Sequence, residues 1–199
     1  MSRRNVLIVC ALEIETQGEL EDWGPHDILY TGVGKVNATY SLTKRLAVEG
    51  SINHDARKTL VINYGTAGSR KIKKKTLVDC TKFVQRDMDV TGLGFMRGET
   101  PFEEEPHIIE CYNNEDFNPI GRNATCGTGD CFVEDKSQYY GEVVDMEAYA
   151  LAKVCRNFDV PFISFKYITD GADDSAHEDW ENNLSDGILE FKKKVLDIY

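Results

Sequence analysis

The 199-residue chain is 41% hydrophobic and 29% charged, the balance of one soluble globular domain. At this length roughly 70% of the chain surface is buried on folding, so a core forms without disulfides or metals. With 23 Lys+Arg against 34 Asp+Glu the net charge is -11, which argues against a nucleic-acid backbone as partner. No apolar stretch approaches the ~20 residues of a membrane span.

Met1-Ser2-Arg3-Arg4 before Val6-Leu7-Ile8-Val9 imitates a signal peptide, but Glu13 and Glu15 interrupt the run and no small-residue cleavage site follows. Val6–Leu12 is predicted as the first strand. Thr31-Gly32-Val33-Gly34-Lys35-Val36 reads as a strand-to-helix turn. It fails the Walker pattern at Leu29 and Val36, and the dinucleotide fingerprint at Asn37. Helical spacing of Val36, Tyr40, Leu42 and Leu46 predicts a helix over Val36–Val48. Strands are predicted at Thr59–Tyr64 and Thr76–Val84, with the basic run Arg70–Lys75 between them as a solvated loop. Thr100–Asn123, rich in Glu, Asn and Pro, reads as a long, partly ordered connection.

A helix is predicted over Glu142–Phe158, with Val143, Met146, Ala150, Leu151, Val154 and Phe158 on one face. Phe162–Ile168 is the last strong strand, and Leu184–Ile198 repeats a helical stripe. The strands are mostly continuous apolar runs rather than alternating ones, as expected when both faces are covered. Alternating strands and helices without repeats or linkers predict a single α/β domain around a parallel or mixed sheet. The six cysteines lack C-x-x-C spacing and read as reduced, buried and inert thiols of a cytoplasmic protein. The four histidines form no H-x-x-x-H or H-E-x-x-H pattern, so neither metal nor cofactor is expected.

In such sheets chemistry gathers at the carboxyl ends of strands. The segments meeting that condition are Ala11–Glu15, Asn63–Ser69, Gly127–Phe132 and Ile168–Asp173, with Val144–Ala148 opening a helix with two carboxylates. A lone carboxylate at a helix start compensates the dipole. Three of them at strand ends and helix starts suggest acid–base work.

The ordered blocks Gly32-Val33-Gly34-Lys35-Val36-Asn37-Ala38, Asn63-Tyr64-Gly65-Thr66-Ala67-Gly68, Thr128-Gly129-Asp130-Cys131-Phe132, Val144-Asp145-Met146-Glu147-Ala148 and Ile168-Thr169-Asp170 resemble the purine nucleoside phosphorylase superfamily. Within it the chain is most similar to 5′-methylthioadenosine/S-adenosylhomocysteine nucleosidases. The resemblance implies a central mixed sheet flanked by helices. It also implies hydrolysis of an N-glycosidic bond, releasing adenine and a 5-thio-substituted ribose. By the same resemblance Glu15 positions the attacking water, Met146 and Glu147 hold the ribose, and Asp170 is the acid at purine N7. Phe132 stacks on the base, the backbone of Phe132 and Val133 reads its edge, and Thr66, Ala67 and Gly68 lie beneath sugar and base. Asp145 belongs to the same block.

The chemistry demands such groups independently. A purine leaves poorly unless N7 is protonated, and a desolvated carboxyl can supply that proton. The sugar turns oxocarbenium-like, which calls for a carboxylate and an aligned water.

Asn63 stands where phosphorylases of the superfamily carry a phosphate-binding arginine, and the early Gly-Asp-Pro-x-Arg loop is replaced by Ala11–Gly18, so water is the expected nucleophile. Lys166 takes the place of an arginine near the carboxylates, and Thr66 that of a serine. The chain also looks shorter, lacking a hairpin between Trp23 and Tyr30 and a helix before Asn123. In the resembling enzymes a partner subunit completes an apolar channel for the 5′ tail. Val90, Leu93, Phe95 and Pro101 fall where that partner loop falls, and Trp180 where the subunit's own tail-contacting aromatic sits. A homodimer is therefore expected. The alternatives are a hydrolase of other purine nucleosides (adenosine, inosine or futalosine type) and a non-catalytic nucleoside sensor.

Overall fold

Side chains alternate across strand β1 (Asn5–Cys10), and that period of two divides the core. Leu7 and Val9 join one apolar cluster, while Val6, Ile8 and Cys10 join another on the opposite face. The computed structural model describes residues 5–20, 27–53, 59–104, 106–111 and 118–196. After β1 come α1 (Glu13–Thr16), β2 (Asp27–Tyr30), α2 (Lys35–Asn53), β3 (Thr59–Gly68), β4 (Leu77–Gln85) and β5 (Ile108–Glu110). They are followed by β6 (Ala124–Thr128), β7 (Val143–Asp145), α3 (Ala148–Asn157), β8 (Phe162–Asp170), α4 (Ala176–Asn183) and α5 (Asp186–Lys194).

All eight strands form one mixed sheet in the order β2-β1-β3-β7-β6-β4-β5, with β8 pairing to both β3 and β4. β8 runs parallel to β3 and antiparallel to β4. Because β4 also pairs with β6, β6 with β7, and β7 with the end of β3, five strands close into a ring. α2 and α3 cover one face through Ala38, Leu42, Leu46, Leu151 and Cys155. α5 covers the other, its Phe191 stacked on Tyr64 at 4.6 Å between ring centroids. Burying such an aromatic stabilises the fold by about 2–3 kcal/mol. The expected α/β class with a mixed sheet between helices is what the structure has. Among the described residues no helix is long and apolar enough to cross a membrane.

Several local expectations change. The predicted helix over Glu142–Phe158 begins only at Ala148, because Val143–Asp145 pairs with β6 and leaves Glu147 at the helix N-cap. In α2, Val36 and Tyr40 are 78% and 67% exposed, and the buried stripe is Ala38, Leu42 and Leu46. The basic run is the solvated loop expected, exposed at Arg70, Lys71, Lys73 and Lys75, and it is also tethered: Ile72 is buried, Lys74 pairs with Asp179 on α4, and Lys75 with Asp186 on α5. The segment Thr100–Asn123 contains β5, and its Asn118 is buried, donating to Asp79 at 2.7 Å. Of the six free cysteines, Cys111 and Cys131 are only half-buried. Trp23 and Ile198 lie outside the described residues, as do residues 24–26 of the segment between Trp23 and Tyr30.

Candidate active site

Strands β1, β3, β6, β7 and β8 deliver their carboxyl ends to one cleft of about 370 Å³. Glu15 arrives first. It is the third residue of α1, and its Oε2 accepts from the Leu12 N–H at 3.2 Å, one half of a capping box. Its Oε1 accepts from both the N–H (2.8 Å) and the hydroxyl (2.9 Å) of Thr66 on β3. That approach leaves little room at position 65, where a Cβ would stand 3.3 Å from Glu15 Oε1 and 3.3 Å from Lys166 Nζ.

β7 delivers two carboxylates with opposite fates. Asp145 accepts from Lys166 Nζ at 2.8 Å, from the Thr128 hydroxyl at 2.5 Å and from the Ala148 N–H at 2.8 Å. It thereby caps α3. Burial opposes its charge, but the Lys166 ammonium and these donors hold its carboxyl below the ordinary range. Glu147 accepts one bond from the Gly34 N–H, 2.9 Å away, at the N-terminus of α2. Burial, with the nearby Asp145 charge, pushes its carboxyl up to about 8.

Asp170 ends β8. It accepts from the Thr169 hydroxyl and the Ala172 N–H, both at 2.9 Å. Burial is the main cause of its raised carboxyl pKa, opposed by those two bonds. A Cβ at position 68 would lie 2.4 Å from Asp170 Oδ1, so glycine there makes room for the acid. Phe132 and His177 also line the cleft, ring centroids 6.5 Å apart. The cleft thus holds Glu15 aimed by three donors, Asp145 balanced by Lys166, Glu147 with its carboxyl raised to about 8, and the raised acid Asp170, around a space lined mainly by apolar groups.

A family profile described as the phosphorylase superfamily matches residues 27–198. The chain belongs to the phosphorylase superfamily. It is 30% identical to a 5′-methylthioadenosine/S-adenosylhomocysteine nucleosidase of Buchnera aphidicola subsp. Schizaphis graminum, over 84% of this chain and 76% of that one. It is 31% identical to the protein of that name from Haemophilus ducreyi, over 79% and 72%. In fold it matches a futalosine hydrolase mutant of Helicobacter pylori strain 26695 with a TM-score of 0.80 at 22% identity, covering 98% and 100% of the two chains.

In this superfamily member Glu15, Thr66, Ala67, Gly68, Phe132, Val133, Asp145, Met146, Glu147, Asp170 and Trp180 all line the one cleft. Lys166 does not: 1% exposed, it sits behind the wall as the partner of Asp145. Val90, Leu93, Phe95 and Pro101 also lie off the cleft, on the surface segment after β4. Asn63 is buried in the sheet, donating to Val9 O and accepting from the Ser164 hydroxyl.

Arg86 lines the cleft and was not singled out from the sequence. Its buried guanidinium donates to the carbonyls of Gly129, Cys131 and Gln138, which holds the segment carrying Phe132 against the end of β4. The only sequence signal is an arginine directly after a strand.

Proposed function

We propose that this chain hydrolyses the N-glycosidic bond of 5′-methylthioadenosine and S-adenosylhomocysteine, and that residues 1–199 act as one catalytic domain. The observation that carries the reading is the convergence of Glu15, Glu147 and Asp170 on one cleft beside the exposed Phe132 ring. The names of the relatives at 30% and 31% identity support the same substrates.

In this reading the adenine stacks on Phe132 with N7 toward Asp170. The bond between the sugar C1′ and base N9 breaks with its electron pair going to the base, and Asp170 passes its proton to N7. Glu147 and Met146 hold the ribose, where positive charge develops. Water adds to C1′ and gives its proton to Glu15, which two donors from Thr66 and one from Leu12 keep aimed. Water suits this place better than phosphate. A phosphate dianion beside Glu15 would meet like charge, Asn63 is committed inside the sheet, and both Arg86 terminal nitrogens are committed to backbone carbonyls.

The proposal extends to a homodimer in a reducing cytoplasm. Leu93 and Phe102 are 75% and 95% exposed on the segment after β4, beside Phe95 and Met96, an apolar surface suited to cover by a second copy. The six free cysteines support the compartment.

The experiment is release of the free base (adenine from methylthioadenosine, S-adenosylhomocysteine and adenosine, hypoxanthine from inosine and futalosine), with and without phosphate. Methylthioadenosine and S-adenosylhomocysteine lead, and phosphate gives no acceleration. A ribose 1-phosphate product, or preference for a nucleoside without the thio substituent, overturns the reading.

A further inference from the structure

We propose that Trp180 is a positioning residue for Glu15, acting through the hydroxyl of Thr66; this rests on the hydrolytic reading of the site. The indole Nε1 lies 3.0 Å from Thr66 Oγ1, and that oxygen lies 2.9 Å from Glu15 Oε1. The direction of the chain follows from its ends. An indole N–H only donates, and an ionised carboxylate only accepts. The hydroxyl between them receives the indole proton on a lone pair and sends its single proton to Glu15.

Each part of the relay is held from outside. Thr66 is β-branched on a strand, so its χ1 is restricted and the hydroxyl does not swing freely. Its N–H bonds the same Glu15 oxygen at 2.8 Å, which ties the strand to the carboxylate. Trp180 rides on α4, which Asn183 anchors by donating to Thr169 O at 2.8 Å, and which Lys74 anchors through Asp179. Thr169 in turn donates to Asp170, so the helix that aims the indole is fastened beside the acid on the other side of the cleft.

Without the indole N–H, Thr66 Oγ1 keeps its place but loses the donor that fixes the direction of its proton, which then divides between Glu15 and water. Glu15 keeps the two backbone donors, Leu12 and Thr66, while the side-chain one weakens. The indole therefore has two functions. Its apolar body walls the cleft, and its polar edge steadies the carboxylate that must align water.

The test uses Trp180→Phe, Thr66→Val and the double variant with 5′-methylthioadenosine as substrate. Trp180→Phe keeps an aromatic wall and removes the donor. We expect kcat to fall about 3- to 10-fold, the effect of one neutral hydrogen bond. KM stays within about 2-fold, because the lost contact serves the reaction and not uniform binding. In the Thr66→Val background the same change lowers kcat by less than about 2-fold, since the relay is already cut.

A second readout is independent of turnover. The Trp180 indole N–H resonance, assigned with Trp23→Phe, shifts when Glu15 becomes Gln, and does not shift when Thr66 is already Val. Unchanged kcat in Trp180→Phe, a rise in KM alone, additive losses in the double variant, or an indole signal blind to Glu15→Gln each overturn the proposal. If the wild type frees no base from any nucleoside, the hydrolytic reading falls instead. The indole signal then still decides the relay.

Discussion

Glu147 is a carboxyl group that the fold keeps neutral. In the unfolded chain it loses its proton near pH 4.5, whereas burial beside Asp145 holds it up to about 8 in the folded protein. Between those values the folded state carries the additional proton, so the contribution of this residue to stability falls as pH rises through the window. Glu147→Gln removes the dependence. Thermal melts should show its Tm close to wild type at pH 4.5 and above wild type at pH 8.5; a difference that does not grow with pH refutes the raised carboxyl. Asp170 differs in what it is asked to do. Asp170→Asn keeps the shape that accepts from the Thr169 hydroxyl and the Ala172 N–H, but has no transferable proton. Turnover should drop about 10²- to 10⁴-fold, with adenine affinity measured by calorimetry nearly unchanged. A variant retaining a tenth of the wild-type rate removes Asp170 from the acid role.

At the scale of elements, β3 owes its place in the site to small residues. Gly68→Ala puts a methyl 2.4 Å from Asp170 Oδ1, so the acid or the strand end must move. We expect kcat to fall by about 10²-fold, as for a 1 Å misplacement of a reacting group, while circular dichroism stays native. Wild-type turnover in this variant would mean that Asp170 tolerates displacement. Strands of six to ten residues with mostly apolar, non-alternating runs, β1, β3, β4 and β8, could be read from sequence because burial on both faces writes itself into composition. β7 could not. Its three residues, followed by Met146 and Ala150, satisfy helical spacing equally well, and only pairing with β6 decides between the two. β2 and β5 are too short for periodicity to register, and the Gly and Thr of β6 resemble loop. The carboxylates were recognisable because they sit in ordered motifs. Arg86 was not, since its partners lie more than forty residues further along the chain. Lys166 is a related case: its motif position marks closeness to the site, and only its pairing with Asp145 reveals that it lies behind the lining.

The whole molecule presents Leu93, Met96 and Phe102 to solvent, and a second copy would cover them. Leu93→Asp with Phe102→Asp should give a monomer in sedimentation and reduce the preference for methylthioadenosine over adenosine, since burial of a methylthio group is worth about 1–2 kcal/mol. A fully active monomeric variant with the preference intact separates the 5′ pocket from the partner. The ring of strands has a different consequence, for the order in which the chain can become a protein. β8 is the eighth strand to be synthesised, yet it lies between β3 and β4, formed roughly eighty to a hundred residues earlier. Until Asp170 has left the ribosome, both neighbours present open backbone edges, a template for pairing with other chains. Fragments ending before Phe162 should therefore collect in the insoluble fraction, while the full chain refolds. The last strand to emerge is thus both the seal of the sheet and the bearer of its acid, so a prematurely ended copy carries neither Asp170 nor the means to stay in solution.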